Sequence, residues 1–313
     1  MRVHHPVKNV LAALARPRAY EIVRRNQKGF DRLAFAEHVR RQFDRLEIGC
    51  VLDVGANRGQ FRDFLRDSVG YTGRIVSFEP IADLATLLRE RAAAKDPEWE
   101  VRPCALGAAE EQRDLHVMRG RSYSSFFQPA EVAVKPRIAT KNVVERVERV
   151  MVRRLDDVVA DGLPLGPGGI WLKVDTQGWD LEVLRGAART LRAISGLQIE
   201  LSVISIYQGM PDYLTVLGEL RRLGFEIGAL TPVNRDVLGR VIEFDCALVA
   251  ASERLQAHSG TEGEDNDPVE SPSERLNSNG AAGIQWFSRR QKPMAPSDHD
   301  LDAAAGAAGL GRS

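Results

Sequence analysis

The run Cys50-Val51-Leu52-Asp53-Val54-Gly55-Ala56-Asn57-Arg58-Gly59 limits what this chain can fold into more than any other stretch. A short apolar run that ends on a glycine has the pattern of a strand buried on both faces. Phe61, Phe64 and Leu65 follow at helical spacing, so the strand turns through Gly55 into a helix. Glycine lets the backbone turn tightly there and approach a ligand closely. The first N–H groups of the helix have no partner within it. A buried strand feeding a helix through a glycine turn is the opening unit of a parallel α/β sheet.

The same alternation continues downstream. Arg74–Phe78 reads as a second strand, with Leu84, Leu87 and Leu88 on the helix behind it. Trp99–Leu106 reads as a third. Ile170–Val174 is followed by a helix through Leu181, Leu184, Ala188 and Leu191. Leu197–Val203 comes next, then a helix from about Pro211 that carries Leu214, Leu217 and Leu220 and stops at Gly224. Phe225–Leu230 and Ile242–Ala250 are the last strands. Residues 231–241 leave no room for a helix between them, which predicts an antiparallel hairpin at one edge of a mostly parallel sheet with helices on both faces.

Three segments stand apart from this rhythm. Phe35, Val39, Phe43 and Leu46 mark one face of a helix over residues 20–46, so residues 1–46 read as an N-terminal helical extension. The main domain spans 47–251 and carries an insertion at 107–169, in which Gln112–Met118 and Val147–Val152 read as strands. Residues 252–313 hold ten acidic and six basic residues amid Ser, Gly, Pro and Ala, a composition that predicts a disordered tail.

Charge excludes some functions. Lys and Arg number 43, as do Asp and Glu, which argues against a general nucleic-acid binder. Cys50, Cys104 and Cys246 lie in apolar strand-like runs without metal or disulfide spacing, and read as buried thiols of a cytoplasmic protein. No apolar run approaches the roughly 18 residues of a membrane span. Residues 1–20 carry four basic residues and no acid, but lack the apolar centre of a secretory signal.

The glycine spacing bears on the ligand. A dinucleotide site reads G-x-G-x-x-G, whereas Gly55 and Gly59 are separated by three residues including Asn57. That departure argues against a pyrophosphate and for S-adenosylmethionine, which has none. Asp53 suits its cationic amino end. Glu79 ends the second strand, where a carboxylate can accept two hydrogen bonds from a ribose diol. Lys173 and Asp175, two apart at a strand end, share a face and point toward the same crevice. Glu200 ends the next strand and would line it too.

As an ordered set, Asp53-x-Gly55-Ala56-Asn57-x-Gly59, Phe78-Glu79-Pro80, Ala105-Leu106-Gly107, Arg154-Leu155-Asp156, Leu172-Lys173-Val174-Asp175-Thr176-Gln177-Gly178, Val183-Leu184-x-Gly186-Ala187 and Glu243-Phe244-Asp245-Cys246 resemble the FkbM family of methyltransferases. The likeness covers about residues 48 to 250. It implies a Rossmann-like class I methyltransferase fold, S-adenosylmethionine as donor, and O-methylation of a sugar, glycan or natural-product hydroxyl. Asp180 stands where the family often has Glu. No acid follows the third strand to hold the adenine amino group, so the backbone at Cys104 and Ala105 is expected to serve.

Methyl transfer needs an acceptor oxygen held about 3–3.5 Å from the methyl group and a base for its proton. Asp175 is the first candidate base and Glu200 the second, with Lys173 orienting Asp175 or stabilising a developing alkoxide. No ligand cluster for a metal is evident. Residues 119–154 contain nine Arg or Lys against three Glu, which suggests either a solvated loop or a lid over an anionic acceptor. Two other readings stay open. One is a nucleic-acid or protein methyltransferase of the same fold, supported by that basic stretch; the other is a non-catalytic S-adenosylmethionine-binding protein.

Overall fold

A computed structural model describes residues 27–131 and 140–251. The start of the expected helix over 20–46, the expected tail at 252–313, and Lys135 and Arg137 of the basic stretch lie outside the described residues.

After α1 (Gln27–Arg45) the chain enters β1 (Ile48–Val54), an interior strand of a seven-stranded sheet. β1 pairs in parallel with β2 (Arg74–Phe78) on one side and with β7 (Gly169–Val174) on the other. Beyond β2 lies β3 (Trp99–Arg102), and beyond β7 lie β8 (Ile194–Ser202), β10 (Val241–Ala250) and β9 (Phe225–Arg235). The order β3-β2-β1-β7-β8-β10-β9, with only β10 reversed, is that of a Rossmann-like class I methyltransferase sheet.

The expected hairpin forms, with its second strand on the inside. β10 is buried along most of its length, whereas β9 is largely exposed and carries Pro232. A proline that cannot donate to a ladder is tolerated at an edge, which suits β9 to the outer position.

Strand periodicity sorts the core onto two faces. Leu52, Val54, Leu172 and Val174 point to one face, under α4 (Leu155–Ala160), α5 (Asp180–Gly186) and α6 (Tyr213–Arg222). Val51, Ile75, Trp99 and Trp171 point to the other, under α1, α2 (Gln60–Phe64) and α3 (Ala82–Lys95). Phe43 of α1 seats its ring 5.1 Å from Trp171.

Two expectations need correction. Trp99–Leu106 is not one strand. Pro103 lacks an N–H and interrupts it, and the far piece, β4 (Ala105–Leu106), leaves the large sheet to pair with β6 (Val144–Arg153). With β5 (Glu111–Met118) antiparallel to β6, β4 and these two strands of the insertion make a second, three-stranded sheet.

The helix expected from Leu181 through Leu191 also breaks, at Gly186. A Cβ there would lie 1.9 Å from the carbonyl oxygen of Gly107, so the insertion's backbone crosses at that point. The chain restarts as a 3₁₀ turn, Thr190–Ala193, anchored by the Asp156 carboxylate, which accepts from the backbone N–H groups of Arg189 and Thr190. No helix among the described residues is long and apolar enough to cross a membrane.

Candidate active site

A cavity of about 720 Å³ opens over the carboxyl ends of β1, β2, β7 and β8 and the start of β10. α1 and the insertion bound it from the sides, through Phe35 and Phe126 among others.

One half lies over β1 and β2. Gly55 turns there with φ of +83°, and a Cβ would sit 2.0 Å from the carbonyl oxygen of Asp175. The glycine is thus required first by the backbone of the neighbouring strand end, not by the bulk of a ligand. Asn57 also has a positive φ, +50°, strained for a residue with a side chain. Its N–H donates to Glu79 Oε2 at 2.6 Å, and the Ile81 N–H donates to Glu79 Oε1 at 2.8 Å. Each oxygen of this nearly buried carboxylate keeps a lone pair for a further donor. Burial pushes the Glu79 carboxyl up to about 8 despite those two hydrogen bonds.

The expected donor residues separate here. Gly55, Asn57, Glu79 and Ala105 line the cavity, and Asp53, Gly59 and Cys104 are not in its wall. Asp53 is fully buried, accepts from the Ser77 hydroxyl at 2.9 Å and pairs with Lys173 Nζ at 3.4 Å. Gly59 faces Arg91, Trp99 and Leu88. All three cysteines are buried and unpaired.

The other half lies over β7, β8 and β10. Lys173, nearly buried, reaches Asp175 at 3.3 Å as well as Asp53. Burial penalises its ammonium, but the Asp175 and Asp53 carboxylates outweigh that and hold its pKa above the ordinary lysine value. Lys173 is therefore a fixed cation, not a group that trades protons near neutrality.

Asp175 lines the cavity, and Gln177 Nε2 bridges it to Glu200, donating to Asp175 at 2.9 Å and to Glu200 at 3.0 Å. Asp245 stands opposite Glu200 in the β8–β10 register, and the still more buried Glu243 lies two residues before it. Burial, then the charges of Asp175, Glu243 and Asp245, raise the Glu200 carboxyl well above its usual range. Burial, then the charge of Asp175, pushes Glu243 to about 7 and Asp245 to about 6, with Asp245 also acting on Glu243. Among the described residues, no group of three or more His, Cys, Asp or Glu is arranged to hold a metal ion.

These shifts set a pH dependence for the ligand-free protein. Carboxyls with raised folded-state pKa values contribute stability that is complete below the ordinary carboxylate range and is lost as pH rises through 6, 7 and 8. The urea midpoint should therefore fall steadily between pH 5 and pH 8. A flat or rising profile would show that these groups are solvated.

The basic stretch looks different once folded. Arg121 pairs with Glu145, Arg146 with Glu148 and Asp83, and Arg149 with Asp114. Arg153 pairs with Asp161 and Arg154 with Asp157. Acids from α3, β5 and α4 thus offset the local excess, and of these arginines only Arg121 lines the cavity. Among the described residues these pairs offset part of the local excess, so charge alone gives less support to a lid over an anionic acceptor. The insertion instead contributes Phe126 to the wall and Ser125 to a contact with Gln177, whose carbonyl oxygen accepts the serine hydroxyl at 2.7 Å.

Sequence reasoning missed Gln177, Gln198, Glu243, Asp245 and Tyr207. Tyr207 Oη lies 2.7 Å from Gln177 Oε1, and Gln198 Nε2 donates to Asp245 at 3.2 Å. A signal existed for the pair of acids. Glu243 and Asp245 share a strand face, and the hairpin reading places that strand beside the sheet, but its inner position was needed to bring them next to Glu200. Asp180, noted as a departure from the family, accepts from the N–H and hydroxyl of Thr176 and shapes the turn that carries Gln177.

No curated protein matches the chain. Among solved structures, an FkbM methyltransferase from Methylobacillus flagellatus KT is 17% identical, aligned over 64% of this chain and 43% of its own, with a TM-score of 0.40. A riboflavin-derivative dimethyltransferase from Streptomyces davawensis is 16% identical over 70% of this chain and 54% of its own, with a TM-score of 0.37. An S-adenosylmethionine-dependent methyltransferase from Aquifex aeolicus is 15% identical over 79% of this chain and all of its own, with a TM-score of 0.37. The chain therefore spans about half the length of the first two. The sequence profile of the methyltransferase FkbM domain matches residues 53–227, more than half of the chain, and the protein belongs to the FkbM methyltransferase family.

Proposed function

We propose that this protein transfers a methyl group from S-adenosylmethionine to a hydroxyl of a small, sugar-like acceptor. The observation that carries the reading is the placement of Asp175. Its backbone abuts Gly55 in the half of the cavity over β1 and β2, and its side chain joins Glu200 through Gln177 in the other half. A base at that junction can reach an acceptor hydroxyl facing the donor.

The residues present fit the donor. Glu79 retains two lone pairs at the end of β2, and the cavity has the size of an ordinary ligand pocket. Bound S-adenosylmethionine supplies an electrophilic methyl group. Glu79 accepts the ribose hydroxyls, and Pro80, Ile81 and Ala105 bound the pocket beside it. Asp175 takes the acceptor's proton, held in place by Lys173 and Gln177. Phe126 and Trp179 keep water out.

Donor binding should depend on the Glu79 charge. Hydroxyls that donate to a carboxylate favour its ionised form, so binding lowers the Glu79 pKa and releases a proton. Adenosine, which has the diol but no amino acid, should bind more tightly at pH 9 than at pH 6.5. Glu79→Ala should weaken S-adenosylhomocysteine by about 1.5–3 kcal/mol. Calorimetry showing equal adenosine affinity at both pH values and no loss in the variant would remove Glu79 from the donor site. Methyl transfer is tested directly with labelled donor and cell extract, followed by mass identification of the product.

A further inference from the structure

We infer that the acceptor bears an amine, and that the half of the cavity over β7, β8 and β10 selects a cationic, hydroxyl-rich small molecule of the amino-sugar class. This rests on the reading of that half as the acceptor site. Asp175, Glu200 and Asp245 all line it, and the buried Glu243 lies two residues before Asp245 on β10. The nearby cation, Lys173, is shared between Asp53 and Asp175. Its direct ion pairs are with these two carboxylates, and it makes none with Glu200 or Asp245.

Hydrogen-bond polarity points the same way. The Gln177 amide nitrogen is committed to Asp175 and Glu200, and that of Gln198 to Asp245. Gln198 is 4% exposed and lines the cavity, and its Oε1 has no hydrogen-bond partner. Its orientation is fixed, because turning the amide over would set oxygen against the Asp245 carboxylate. An unpartnered buried acceptor on the residue that holds Asp245 favours a ligand that donates. An ammonium group donates three hydrogen bonds and supplies the missing charge, and ring hydroxyls donate the rest. A carboxylate- or phosphate-bearing acceptor would meet like charge at this end of the cavity, where Lys173 is already paired; the other cations of the lining among the described residues, Arg32 and Arg121, lie on α1 and in the insertion. Burial and the charge of Asp175 raise the Glu200, Glu243 and Asp245 carboxyls above their ordinary values, and a bound cation would lower them and release protons.

The test uses three probes of one ring scaffold, D-glucosamine, N-acetyl-D-glucosamine and D-glucuronate, titrated calorimetrically into the full-length protein with saturating S-adenosylhomocysteine. Glucosamine is expected to bind at least about tenfold more tightly than either of the others at pH 7, the scale of one hydrogen bond between charged groups. Its binding should release protons, seen as a heat that varies with the buffer's ionisation enthalpy. Asp245→Asn, which keeps the shape, should bring glucosamine down to the level of the N-acetyl sugar while S-adenosylhomocysteine affinity holds, showing that the variant is folded. Equal binding of the three, absence of binding by all three, or preference for glucuronate would overturn the inference. So would sugar binding that requires magnesium, since the carboxylates would then be metal ligands. Failure of S-adenosylhomocysteine itself to bind would instead overturn the proposed activity. The ranking of the sugars, measured without it, would still decide the charge of the acceptor.

Discussion

Asp175→Asn should reduce methyl transfer by about 10²–10⁴-fold while S-adenosylhomocysteine affinity changes little. The substitution keeps the volume and the contact of its backbone with Gly55, but removes the proton acceptor and the partner of Lys173. The loss should appear in kcat more than in KM, because the acceptor still finds Glu200 and Asp245. Glu200 is the competing base. If Glu200→Gln shows the large loss and Asp175→Asn a small one, the roles exchange. A third result is loss of donor binding in Asp175→Asn, which would make Asp175 a donor ligand.

The second large effect is on stability. Lys173→Met should destabilise the fold by about 3–5 kcal/mol at neutral pH, the usual result of leaving a buried charge without its partner. Asp53 has no exposure at all, and of its two contacts the Ser77 hydroxyl would remain and the ammonium would go. The sign with pH follows. Burial already raises the Asp53 pKa, and without Lys173 it would rise further. The deficit should therefore be largest where the unfolded chain ionises Asp53, and should shrink as pH falls toward 4. Adding Asp53→Asn should recover part of it. Urea denaturation at pH 4 and pH 8 reads both predictions, and an equal deficit at the two pH values would show that packing, not charge, is lost.

The strand–turn–helix repeat was legible because each strand of the parallel core is a short apolar run bounded by turn residues. Glu79, Lys173, Asp175 and Glu200 could be placed near one another because strand ends in such a sheet share an edge. What the sequence hid was non-local. Asp53 reads like a ligand group, yet it is not in the cavity wall, because it precedes the last residue of β1 and its side chain stands on the sheet face against its cross-strand neighbours Ser77 and Lys173. The basic stretch reads as a charged patch only while its partners, distant in sequence, are ignored. Asp83 lies on α3, Asp114 on β5 and Asp161 after α4, and each reaches an arginine through the tertiary fold. Glu243 and Asp245 needed the inner position of β10, which follows from the burial of that strand and not from its spacing.

Gln177 holds a strained backbone conformation, with φ of +54°, and aims two carboxylates at once. Its carbonyl is tied to Ser125, which also accepts from the Phe127 N–H and belongs to the insertion that walls the cavity. Acceptor range and catalytic rate are therefore not separate modules in this protein. Exchanging residues 119–131 for the matching loop of a relative, to change substrate, would also release the residue that aims the proposed base. A transplanted loop would need a serine at that position before its effect on specificity could be judged apart from its effect on turnover.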